Sequence, residues 1–474
     1  MPSILKQLAN YGVEAADNLP NLAPMWTHHQ SDEHVVGDID TLDMMSNEID
    51  VDIAEIAGIA DTISEQSAGI CKAQAASGSI ENLVDQTIET YGADGITEEG
   101  AELMRLSVES ILRVSGLGIP TSVVVPSFES GMSRTDYSTE AEEKKAGVLS
   151  RILTWVANAF NSLIEIVASF WNRLFNSSAS IDKYGNSVLE KIKKAKGETD
   201  GGNLALGSSL AMYCSDSSGV IKPPAAMVHT NVQLFTKFVS AWHGAFSELI
   251  NIKPLGSSPA AFMDFAKTAS VALDITLHND LSHLKDIKVI ENFKLKFIPG
   301  TDKLPFSGAK VEVEKSQIKT KGEAKVLNHA EMLSGCTLAL KALDVMKTIE
   351  NDINSWTKNA KRVVDSIKRY NAMLKIAETQ GMKIPQDLRD FTFTVIGGCR
   401  VMADGWAKST PQYLLMVKAN IRYCDLSANK MKADKEPEKG ADGEVEVKPD
   451  LVKPERYNKA EHDDSKGQTF DMEK

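Results

Sequence analysis

The chain has 474 residues, 42% hydrophobic and 25% charged, an ordinary soluble composition that allows a sizeable core and excludes a protein disordered throughout. Its net charge of −13 is unevenly spread: Met1 to Glu129 carries 22 acidic residues against 4 basic ones, a net of −18, whereas Ser130 to Lys474 nets +5. Cys71, Cys214, Cys336, Cys399 and Cys424 are odd in number, scattered and without a CxxC pair, which argues against a disulfide framework or a thiolate zinc site.

In chain order, the opening MPSILKQLANYGVEAADNLP has one lysine and no apolar run before its first acids, so it does not read as a secretory signal. Within THHQSDEH, His28, His29, Asp32, Glu33 and His34 are metal-ligating types. Their spacing matches no zincin helix, and a polar acidic loop accounts for them, so no metal or other cofactor is expected. Ile49, Ile53, Ile56, Ile59, Ile63 and Ile70 recur at spacings of three, four and seven, the mark of an amphipathic helix. A second helix is predicted in ITEEGAELMRLSVESILRVSGLG, with Thr97 as N-cap, acids in its first turn and glycines at its end. IPTSVVVPSFESGMSRTDYSTE, with two prolines and many small polar residues, reads as an exposed linker.

Beyond it, Leu149, Ile152, Val156, Phe160, Leu163, Val167, Trp171 and Leu174 share one helical face, opposite Asn158, Asn161, Glu165, Ser169 and Asn172. This stretch, 148–175, fits packing in a core or against a partner, or a membrane-active effector whose helix lies on a bilayer; the lack of a basic polar face favours the first. The charge-free apolar run Ile152 to Ile164 is shorter than the roughly 18 residues that cross a bilayer, so no transmembrane span is expected. Helical patterning returns between Val228 and His283. Phe293, Leu295 and Phe297 alternate with lysines, and Val311 and Val313 with glutamates, predicting a β-hairpin within 287–319. From Leu327 to Thr379 no proline appears, which predicts one very long helix or a tight helical pair; helices should resume after Pro385 and again after Pro411. The charged tail from Lys430 has few large apolar residues and should be disordered. The fold class expected is therefore mainly α: an acidic, partly helical segment 1–129, a linker 130–145, a helical body 146–429 with one small hairpin, and a disordered tail 430–474.

No Walker A loop, dinucleotide glycine fingerprint or nucleophile elbow occurs, and no catalytic residue is nominated; the expectation is a non-enzymatic protein. The helix WTKNAKRVVDSIKRYNAMLK places Lys358, Lys361, Arg362, Lys368, Arg369 and Lys375 within about 140° of arc, opposite Trp356, Val363, Ile367, Tyr370 and Leu374. A solvated face is the simple explanation and nonspecific, salt-sensitive phosphate contact with DNA the functional one. KIKKAKG adds Lys191, Lys193, Lys194 and Lys196.

Six serines have Glu two residues later: Ser31/Glu33, Ser46/Glu48, Ser79/Glu81, Ser107/Glu109, Ser127/Glu129 and Ser138/Glu140. All lie in the first 140 residues and none follows Ser150, the distribution that a repeatedly cut propeptide joined to a resistant product requires.

This arrangement resembles the internal head, or inner body, proteins of phiKZ-like giant bacteriophages. The resemblance implies a virion structural protein packaged with the genome inside the capsid and made in the host cytoplasm as a precursor. It also implies a prohead protease of the herpesvirus-assemblin type that cuts after the Glu of Ser-x-Glu. Carried onto this chain, the scissile bonds would follow Glu33, Glu48, Glu81, Glu109, Glu129 and Glu140, with other head proteins and packaged DNA as further partners. Glu129, just after Pro126 in the linker, is the expected site of the final cut.

Overall fold

The computed structural model describes residues 39–91, 97–117, 134–195, 201–250, 284–300, 306, 308–316, 322–380 and 386–431. The chain divides into two units, Met1–Ala433 and Asp434–Lys474, and all the described residues lie in the first. As expected from sequence, the fold is mainly helical with small antiparallel sheets. The tail 432–474, the histidine-bearing loop and Ser127 to Glu129 lie outside the described residues.

The isoleucine pattern becomes α1 (Ile39–Tyr91), a single 53-residue helix. Leu42, Ile49, Ile53, Ile56, Ile63, Ile70, Ile80 and Val84 line its buried stripe. Each fully buried isoleucine contributes about 1.5–3 kcal/mol relative to exposure, so a stripe this long requires a covering surface. α2 (Glu98–Ser115) begins as expected: the Thr97 side chain accepts from the Gly100 N–H at 3.1 Å, and Gly116 at φ 70 closes the end with its N–H on the Leu112 and Arg113 carbonyls.

α3 (Arg134–Lys194) starts earlier than its apolar pattern, so the segment read as a linker over 130–145 is helical from Arg134 onward. The physical reason lies in the composition of that stretch. TEAEEKKAG contains no proline and is rich in good helix formers, so a helix nucleated on the apolar run propagates back through it. By length and composition alone, Ser150–Lys194 is apolar enough to cross a membrane, a signal that the short charge-free run concealed. Yet Ile152, Val156, Phe160, Leu163, Val167, Trp171 and Leu174 are all buried in the protein core, which is where the 148–175 face packs.

β1 (Asn203–Ala205), α4 (Ser208–Cys214) and α5 (Pro224–Ile250) follow. The predicted hairpin is a three-stranded antiparallel sheet of β2 (Ile287–Ile290), β3 (Phe293–Ile298) and β4 (Lys310–Lys315), in that order. Its register sets Leu295 opposite Val313 and Phe297 opposite Val311 on the buried face, and Lys294 opposite Glu314 and Lys296 opposite Glu312 on the other. β5 (Glu323–Lys325) pairs with β1 in a ladder that three-residue strands do not announce in sequence. The proline-free stretch resolves into the helical pair α6 (His329–Ala342) and α7 (Asp344–Gln380). An Asn328–Glu331 capping box starts α6.

α8 (Gln386–Ala428) is the central element, packed against α1, α3, α5 and α6. Almost every side chain from Thr392 to Ala428 is buried. Pro411, expected to separate two helices, lies inside this one, where burial of the helix on all sides offsets the missing N–H bond. At Gly405 a Cβ would collide with the Trp242 ring, so the absence of a side chain lets α5 meet α8 closely.

Candidate functional site

The functional candidates fall into two groups, the Ser-x-Glu motifs and the basic face of α7, and the packing of α1 governs the first. α1 runs antiparallel to α8, and polar pairs mark the register along the whole seam. Asp43 pairs with Arg422 at 2.6 Å; Lys418 pairs with Asp50 and donates to the Ser46 carbonyl at 2.7 Å. The Ser64 hydroxyl donates to Asp404 at 2.5 Å, Arg400 donates to the Ser67 hydroxyl at 3.0 Å, and Gln74 donates to the Phe393 carbonyl at 3.1 Å. On the other flank Glu55 pairs with Arg173 of α3.

Two of the cations along this seam are buried. Arg400 is sealed in the core, where it also donates to the Ala309 carbonyl at 2.7 Å and the Phe306 carbonyl at 3.3 Å; burial holds its pKa below the ordinary guanidinium value. Burial likewise lowers the pKa of Lys418, whose side chain is 6% exposed, against the opposing pull of Asp50. Behind them Asp425, fully buried, accepts from Lys191 and Arg422, each at 2.6 Å, and from Tyr184 at 3.3 Å.

Against this frame the Ser-x-Glu motifs differ sharply. Glu48 is exposed on α1, with Ser46 buried beneath it. In Ser79-Ile80-Glu81 the serine is exposed, but Ile80 is fully buried and Glu81 only 6% exposed, so this bond is sealed in the core. Glu109 is exposed on α2 and pairs with Arg105 at 3.6 Å, with Val108 buried behind it. Ser138 and Glu140 fall on the helical backbone of α3. Ser31/Glu33 and Ser127/Glu129 lie outside the described residues. A protease needs an extended segment, so a cut at Glu48, Glu81, Glu109 or Glu140 first requires local unwinding of a helix.

On α7 the structure brings the predicted basic residues together. Lys358, Lys361, Arg362, Lys368 and Arg369 are exposed, while Trp356, Val364, Ile367 and Tyr370 are buried beneath them. Lys375 continues the same helix. Among the described residues Lys358, Lys361 and Lys368 form no ion pair, and Arg362 donates to Asn359 at 3.2 Å. Asp365 sits within the stripe and lowers its net charge. The lysines of KIKKAKG do not extend this face: Lys191 is held by Asp425 and Asn429, and Lys193 by Glu190. Among the described residues no cluster of three His, Cys, Asp or Glu side chains could hold a metal ion.

The seam residues Arg400, Lys418 and Arg422 escaped sequence reasoning, since their partners on α1 lie more than 300 residues away in the chain. The one available signal was the isoleucine stripe itself, too long to be left uncovered.

No match was found among curated proteins or among solved structures. The profile of phiKZ-like phage internal head proteins, however, matches residues 40–381, a span that begins in α1, crosses the segment between α2 and α3 and ends beyond α7. By that match the chain belongs to the phiKZ-like phage internal head proteins, components of the interior of the phage capsid.

Proposed function

We propose that this protein enters the prohead as a precursor, is cut by the prohead protease after Ser-x-Glu motifs in its acidic N-terminal segment, and remains in the head as a structural, non-catalytic component beside packaged DNA. The observation that carries the reading is the coincidence of two boundaries. All six motifs lie in the first 140 residues, and the charge changes from a net −18 to +5 at Glu129. Before cutting, the acidic segment lowers the attraction of the body for nucleic acid. After cutting, a positive remainder faces densely packed DNA. The exposed lysines and arginines of α7 are the surface on which such contact would fall, nonspecific and salt-sensitive.

Glu129 and Glu140 flank the start of α3 and are the sites whose cutting would separate segment from body; Glu33, Glu48, Glu81 and Glu109 would divide the segment itself. Mass spectrometry of purified virions tests the proposal. The expected result is a body whose N-terminus is Ser130 or Ala141. Finding peptides from Met1 to Glu109 still covalently joined to the body in mature particles would overturn it.

A further inference from the structure

We propose that α1 is a clamp that one cut does not release: after cleavage between α2 and α3 the acidic fragment stays bound to the body as a non-covalent subunit, and the bond after Glu81 opens only when α1 leaves. The biological use of this device rests on the processing reading; the retention itself is a property of the folded chain.

α1 covers one side of the hydrophobic core. Its stripe of Leu42, Ile49, Ile53, Ile56, Ile63, Ile70, Ile80 and Val84 belongs to the same hydrophobic core as Phe160, Val167, Trp171 and Trp406. The segment therefore does not hang from the body by a tether but supplies one wall of the core. None of the bonds along the seam depends on chain continuity at residues 118–133. The antiparallel ladder from Asp43–Arg422 to Gln74–Phe393 is set by side chains on two helices that a linker cut leaves whole.

The occupant of the face is specified by its chemistry. Arg173, Arg400, Lys418 and Arg422 flank an apolar groove and meet Glu55, Ser67, Asp50 and Asp43 of α1. An acidic amphipathic helix satisfies both the groove and its cations. A phosphate backbone would satisfy the cations and leave the groove in water. The occupant is thus the chain's own α1, before the cut and after it.

The same geometry gives a use to motifs on both sides of the sealed one. A segment held only by its covalent link would need one cut to depart. A clamp must be dismantled, and the exposed Glu48 and Glu109 flank the sealed Glu81. Cutting at Glu109 and Glu48 removes the packing of α2 and the charged end of α1 that carries Asp43, which loosens the remainder and exposes Glu81 last.

The test uses the full chain with a recognition sequence for an unrelated, sequence-specific protease inserted within residues 118–133. After complete cleavage, native mass spectrometry and gel filtration should show the two fragments together at one to one, at low salt and at about 1 M salt, where screening is strong over about 3 Å. Fragments that separate at low salt overturn the proposal, and so does displacement of the acidic fragment by added duplex DNA, which would name phosphate as the better occupant. The double variant Asp43→Lys, Asp50→Lys should release the fragment at least about threefold faster. In the cleaved complex a Glu-specific endoprotease should cut after Glu48 and Glu109 well before Glu81; equal rates at all three would refute the sealing of that bond. If virion mass spectrometry finds no processing while the engineered complex stays together, the processing reading fails and retention stands. Fragments that part in a protein found processed in virions give the converse.

Discussion

Lys418 and Arg400 are cations inside a helix whose local sequence marks them for solvent, and their place follows from partners on α1 far upstream. Single-residue positions of this kind are not legible, because helical periodicity reports which face is apolar and says nothing of which distant acid will neutralise a base on it. All five cysteines read from sequence as buried thiols, and four of them are. Cys214, Cys336, Cys399 and Cys424 are buried as their scattered, unpaired distribution suggests, and burial pushes the Cys336 and Cys399 thiols up to about 12. Only Cys71, on α1, is partly exposed. Brief iodoacetamide labelling of the native protein followed by peptide mass spectrometry should therefore modify Cys71 alone, since the thiolate is the reacting species and access is required. Labelling of Cys399 at a comparable rate would mean that α8 is not enclosed as described.

Among elements, the long helices could be read from sequence, and of their limits those of α2 could be read as well. α1, α2 and the α6–α7 pair follow from apolar spacing, prolines and caps, because those signals act within one turn. The fusion of α8 across Pro411 and the β1–β5 ladder escaped because tertiary burial and a pairing across more than a hundred residues decide them. The basic face of α7 was legible as a face, but whether it meets phosphate is a separate question with a direct measurement. Lys361→Glu, Arg362→Glu, Lys368→Glu and Arg369→Glu together should abolish low-salt binding of the full chain to duplex DNA of any sequence. Short of abolition, they should reduce the slope of log affinity against log salt by about one for each phosphate no longer neutralised. Unchanged binding would make the stripe a solvated face, a reading that Asp365 in its midst already favours.

At the scale of the molecule, the acidic and basic halves read from composition share one core: the seam that joins them pairs opposite charges and buries isoleucine against aromatic rings. The division by charge was legible, and the physical union was not, because composition carries no information on contact. The same enclosed core sets a pH response. Tyr184, Tyr213, Tyr413 and Tyr423 and the four buried thiols all have pKa values raised by burial above the ordinary 10.0 and 9.0. Each therefore contributes stability that is fully present below its unfolded value and is lost as pH rises toward the folded one. Above pH 9.0 for the thiols and 10.0 for the tyrosines, the unfolded chain releases protons that the folded chain keeps, at about 1.4 kcal/mol per pH unit for each such group. Urea midpoints should hold steady from neutrality to about pH 9 and fall steeply beyond it. A midpoint still flat two units higher would contradict the burial of these groups.

The antiparallel seam between α1 and α8 also dictates a timetable of synthesis. The Lys418–Ser46, Ser64–Asp404 and Gln74–Phe393 bonds span 372, 340 and 319 residues of sequence. At about 5–20 residues per second the ribosome takes on the order of twenty seconds to a minute to make the partner of a helix it has already finished. During that interval the isoleucine stripe has no α8 to cover it, and the aspartates and glutamates on its outer face are what keep the nascent chain from adhering to its neighbours. The acidity of the segment thus has work to do while the chain is still being made, and closure of the seam, with its high contact order, must wait for α8.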